Sequence, residues 1–98
     1  MLKQHKDHSN QLMAKEFKRI RQEQGFTVRK LASQLGMANS FTGKIEGCER
    51  RLDVGEFIVY CQTLNQDPVE VLRTIIKLAA DNPLAPTEMT ATETTSAS

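Results

Sequence analysis

Apolar residues recur at helical spacing through most of the chain, and no stretch reads as a strand. Leu12, Met13, Phe17 and Ile20 mark one face of a first helix, which Ser9 or Asn10 can cap and Gly25 can end, spanning about residues 10–24. Thr27 is a good N-cap for a second helix over about residues 28–35, with Phe26 placed to pack on Leu31 as a hydrophobic staple. A third helix runs from about Asn39 to Gly47. Next, Leu52-Asp53-Val54-Gly55-Glu56-Phe57 carries a capping box, in which Asp53 caps, Glu56 reaches back and Leu52 staples onto Phe57. That fourth helix continues to Leu64, where Asn65 can take a left-handed exit. Asp67-Pro68 repeats the start signal with proline at the first helical position, and Val71, Leu72, Ile75, Ile76 and Leu78 are expected to face inward from a fifth helix.

The second and third helices have a relationship of their own. Ala32 is small where one helix would press on the other, Gly36 can supply a left-handed turn, and Leu31, Leu35, Met37 and Ile45 form an apolar face between them. Residues 28–47 therefore read as a helix-turn-helix, an arrangement that presents the outer face of its second helix to a DNA major groove.

Composition limits what else the chain can be. Its 98 residues, 39% of them apolar, suffice for one small helical domain and leave little for a buried ligand cavity, so neither a sensor domain nor a small-molecule ligand is expected. No apolar run is long enough to span a bilayer and Met1-Leu2-Lys3-Gln4-His5-Lys6 is no signal peptide, so a cytoplasmic protein is expected. Residues 1–9 are expected as a flexible arm and residues 10–80 as the domain. Residues 81–98, rich in Thr, Ser and Ala, are expected as a disordered tail. Cys48 and Cys61 lack metal-ligand spacing and are expected as small packing residues without a disulfide. His5 and His8 have no further ligand, no nucleophile–base set appears, and neither a metal, a cofactor nor an enzymatic activity is expected.

Net charge is only +1, but it is segregated. Residues 1–51 hold eleven Lys or Arg against five acids, a net of +6, while residues 52–98 hold two against seven, a net of −5. The half with the helix-turn-helix is the basic half, the pattern expected where one face meets phosphates, with a solvated charge distribution that has no partner as the alternative reading.

These features together resemble the XRE family, the Cro and phage-repressor type of DNA-binding domain, over about residues 12–78. The most specific stretch is Ser40-Phe41-Thr42-Gly43-Lys44-Ile45-Glu46 followed by Glu49-Arg50-Arg51-Leu52-Asp53-Val54 and Glu56-Phe57. It is similar to bacterial XRE regulators in which a Ser-Phe-Val-Ser-Lys helix leads into Glu-Arg-Arg-Leu-Asp-Val. The resemblance implies an all-α, five-helix, lambda-repressor-like fold and a sequence-specific regulator of transcription, most simply a repressor binding a palindromic operator as a homodimer.

By that resemblance Asn39, Ser40 and Lys44 face base edges. An Asn carboxamide can pair with adenine and a Lys ammonium with guanine acceptors, while Ser40 and Lys44 have phosphate contact as an alternative and Asn39 has helix capping. Thr27, Arg29, Lys30, Arg50 and Arg51 flank the reading helix as phosphate contacts. The resemblance also implies a partly buried ion pair of Arg21 with Glu46. Departures from the family pattern occur at Val28, Thr42, Gly43 and Gly47-Cys48, the last reversing the usual order at the exit of the third helix. A different class of function, a protein-interaction module such as an antitoxin or phage adaptor, would use the fifth helix or the acidic half to bind a protein partner.

Overall fold

A computed structural model describes residues 2–83, in which five helices occur in the order α1 (Leu2–Glu23), α2 (Val28–Gln34), α3 (Ser40–Glu46), α4 (Val54–Thr63) and α5 (Pro68–Asp81). The all-α, five-helix architecture is the one expected. Residues 84–98, most of the expected tail, lie outside the described residues.

Helix starts follow local chemistry. Thr27 accepts from the Lys30 amide at 3.0 Å, Asp53 accepts from the Glu56 amide while the Glu56 carboxylate accepts from the Asp53 amide, and Asp67 accepts from the Val69 amide. Each bond satisfies an amide that the first helical turn leaves without a partner. Helix ends share one device. At the exits of α1, α2, α3 and α4 the paired bonds of a Schellman turn close the helix: Gly25 and Phe26 onto Gln22 and Arg21, Gly36 and Met37 onto Ser33 and Ala32, Cys48 and Glu49 onto Ile45 and Lys44, and Asn65 and Gln66 onto Gln62 and Cys61. The left-handed residue is glycine in the first two, but Cys48 (φ 61°) and Asn65 (φ 60°) in the others. The reversed Gly47-Cys48 order thus places a β-carbon in the left-handed region, while Gly47 keeps a negative φ.

α1 begins at Leu2 rather than near residue 10, so most of the expected arm forms its first turns. Tertiary partners hold those turns. Asp7 is paired to Lys3 and to Arg51, His8 is hydrogen-bonded to the Asn82 carbonyl, and Asn10, instead of capping, donates to the Lys6 carbonyl at 3.0 Å. With His8 beside Asn82 and Asn65 beside Gln24, α5 runs antiparallel to α1.

The core lies where α1, α3, α4 and α5 converge. Phe17 stacks at a tilt on Tyr60, centroids 4.5 Å apart, with Phe57 and Phe41 at the edges of the cluster. Leu31 and Ala32 are wholly buried on α2, which packs against α3. Met37, expected on the apolar face between α2 and α3, is 43% exposed, where the chain leaves the left-handed turn at Gly36 and lines an open concavity with Leu35 and Phe41. On α5 only Val71 and Ile75 are buried, with Leu78 half-buried; Leu72 and Ile76, expected inside, are exposed one step around the helix. A single inward stripe of i, i+4, i+7 accounts for the difference. Cys61 is buried in the core and its thiol is pushed up to about 11, first by burial and then by Asp67. Cys48 is exposed, not packed, and both cysteines are free.

Candidate nucleic-acid interface

α3 sets the geometry of the site. Phe41, Thr42 and Ile45 are buried, so the remaining positions, Asn39, Ser40, Gly43, Lys44 and Gly47, form its outer face. Asn39 stands at the N-cap position but its side chain makes no capping bond, which leaves the carboxamide free of internal partners. Lys44 makes no ion pair among the described residues. α2 turns Arg29, Lys30, Ser33 and Gln34 outward, and neither Arg29 nor Lys30 makes an ion pair among the described residues. The Thr27 hydroxyl oxygen is spent on the cap of α2, which leaves its hydrogen available for donation.

Arg50 and Arg51 differ from those free cations. The Arg50 guanidinium grips both Glu56 oxygens, at 3.2 and 2.8 Å, donates to the Arg51 carbonyl and lies over the Phe41 ring at 4.9 Å. Three hydrogen bonds and a π-face hold its plane in place. With Arg50 and then the Asp53 amide donating to it, the Glu56 carboxyl is held down at about 2. Arg50 therefore works inside the loop between α3 and α4, tying the exit of α3 to the first turn of α4. Arg51 reaches back to Asp7 at 2.9 Å, with about half of its side chain exposed. Sequence reading missed both acidic partners. Glu56 was legible only as a cap, and no periodic signal links Asp7 to a loop 44 residues away.

Beneath the outer face, α3 is pinned to α1. Arg21 donates to both oxygens of Glu46, at 2.6 and 3.2 Å, and to the Phe26 carbonyl at 2.7 Å. The pair is about nine-tenths buried. Beside it the hydroxyls of Tyr60 and Thr42 are buried without a well-formed hydrogen bond. Burial pushes the Tyr60 phenol up to about 12, Glu46 adding to the effect and the neighbouring Thr42 hydroxyl opposing it. The orientation of α3 is thus set by a charged pair and an aromatic wall.

Among the described residues no group of three or more His, Cys, Asp or Glu side chains is disposed to hold a metal ion, and no helix is long and apolar enough to cross a membrane. No family model matches the chain, and no curated protein is detectably similar to it. Solved structures are similar. An XRE-family-like protein from Pseudomonas syringae pv. tomato str. DC3000 shares 32% of its residues with this chain at a TM-score of 0.73, over 79% of this chain and 94% of that one. This chain belongs to the XRE family. The clp gene regulator ClgR from Corynebacterium glutamicum has the same fold at a TM-score of 0.64 and 17% identity, over 86% of this chain and 94% of that one. In an XRE-family chain α2 and α3 are the helix-turn-helix, and here its solvent face carries Arg29, Lys30 and Lys44, which make no ion pair among the described residues.

Proposed function

We propose that the protein is a sequence-specific DNA-binding regulator of transcription that lays α3 in the major groove. One observation carries the reading: Asn39, Ser40 and Lys44 share the outer face of α3 and, like the flanking Arg29 and Lys30, make no side-chain ion pair or cap among the described residues. Asn39 and Lys44 read base edges, and Ser40 reads a base or bonds a phosphate. Thr27, Arg29 and Lys30 bond the backbone and set register.

A single domain of this size buries little DNA surface, and we propose that it acts as a homodimer on a palindromic operator, most simply as a cytoplasmic repressor. The exposed apolar side chains of α4 and α5, among which Val54 and Leu72 line one shallow concavity, are the candidates for contact with the second copy. A heterologous protein is the second reading of that contact, which the same exposed side chains favour. Sedimentation of the purified chain with and without operator DNA separates the two: a monomer in both states removes the homodimer.

Selection of bound sequences from a random duplex pool tests the main reading. Recovery of a palindrome with half-sites about one helical turn apart is the expected result. Failure to enrich any sequence at low salt would remove it.

A further inference from the structure

The first turns of α1 bring a carboxylate to the basic loop that follows α3. One oxygen of Asp7 accepts from the Arg51 guanidinium at 2.9 Å, and the other accepts from the Lys3 ammonium at 3.0 Å. A single carboxylate thus sits between two cations, one from its own helix and one from the loop. The cluster is open to water, with Arg51 53% and Lys3 81% exposed at the side chain. A phosphodiester oxygen is an acceptor of the same charge, suited to the same donors at the same distances. The two loop arginines are not equivalent in this respect. Arg50 is fixed by two bonds to Glu56 and by the Phe41 ring, whereas the side chain of Arg51 has, among the described residues, one hydrogen bond, to a half-buried acid on α1.

We propose that Asp7 is a built-in competitor for the DNA backbone: it fills the anion position of Arg51 and Lys3 in the free protein, and binding exchanges it for a phosphate. The proposal rests on the DNA-binding reading and adds to it a residue that lowers affinity. Arg51 becomes a phosphate contact only on leaving Asp7, so the chain holds back part of its basic surface until a duplex is present. The cost of breaking an exposed pair is small, which makes the exchange reversible under ordinary salt.

The test is equilibrium binding of a fluorescein-labelled mixed-sequence duplex at low salt by the full chain and its Asp7→Asn, Arg51→Ala and Asp7→Asn/Arg51→Ala forms. Glu49→Gln serves as a control, removing one negative charge from the loop that carries Arg51, at a residue with no ion pair among the described residues. Asp7→Asn is expected to bind about two- to five-fold more tightly, the size of one exposed ion pair. It should also steepen the salt dependence of log affinity by up to roughly one unit. On the Arg51→Ala background the gain should shrink to no more than Glu49→Gln produces. An Asp7→Asn protein that binds like the unmodified chain or more weakly overturns the proposal, as does a gain that persists undiminished without Arg51. Binding by none of the forms would overturn the DNA-binding reading and this proposal together, whereas the other failures leave that reading standing.

Discussion

Arg21 of α1 and Glu46 of α3 meet in a two-bond ion pair whose side chains are each about 10% exposed, and the pair fixes α3 to α1, the longest helix among the described residues. Both charges have lost most of their water, so each depends on the other. Arg21→Met should cost about 3–5 kcal/mol because it leaves Glu46 buried and unpaired, whereas Arg21→Met/Glu46→Leu should recover much of that loss. Thermal melts of the two variants check this. Equal destabilisation would mean that the pair is not what couples α1 to α3.

Glu56 gives the fold a defined acid sensitivity. Its carboxyl is held at about 2, against an ordinary 4.5, by Arg50 first and the Asp53 amide second. The folded chain therefore binds this proton less readily than the unfolded chain. The stabilisation is present in full above about 4.5 and is lost as pH falls through about 2. Glu56→Gln should flatten the dependence of melting temperature on pH in that window and change it little above. An unaltered acid limb would assign the sensitivity to other groups.

What could be read in the sequence was what is decided within a few residues. The caps at Thr27, Asp53 and Asp67, the helix end at Gly25 and the left-handed turns at Gly36 and Asn65 each rest on bonds spanning two to five positions, and all are present. The start of α1 was not legible, because residues 2–9 are held by Arg51 and Asn82, which lie 44 and 74 residues from their partners Asp7 and His8. Leu72 and Ile76 were assigned inward by apolarity alone, yet one inward stripe on α5 leaves no room for them. For the site, the outer face of α3 followed from helical spacing. The engagement of Arg50 did not, since the loop that delivers it to Glu56 and Phe41 has no period to read.

The two cysteines should behave oppositely toward a thiol reagent. Cys48 is exposed, whereas Cys61 is buried in the core with its thiol pushed up to about 11. Native protein should release one equivalent quickly, and a second only on unfolding. Cys48→Gly should abolish the fast equivalent and raise stability by about 1 kcal/mol, because glycine takes the left-handed φ of 61° without the β-carbon penalty. A fast phase that survives in Cys48→Gly would place Cys61 within reach of solvent.

Gly43 sets stability against access on the outer face of α3, which the proposed function turns toward DNA. It lies mid-helix with no positive φ, and a β-carbon built there meets nothing within 4 Å, so folding gives no reason for the missing side chain. In an exposed helix interior alanine is favoured over glycine by about 1 kcal/mol, or roughly 4–8 °C in melting temperature for a domain of this size. Gly43→Ala should therefore be more stable than the unmodified chain. The methyl group would stand between Ser40 and Lys44, where a groove-bound α3 brings its backbone nearest the bases. Weaker duplex binding from a more stable protein is the expected pair of results, read by melting and by fluorescence anisotropy on the same preparations. Binding at full strength would move the DNA-facing surface away from Gly43, and the base-reading roles of Ser40 and Lys44 with it.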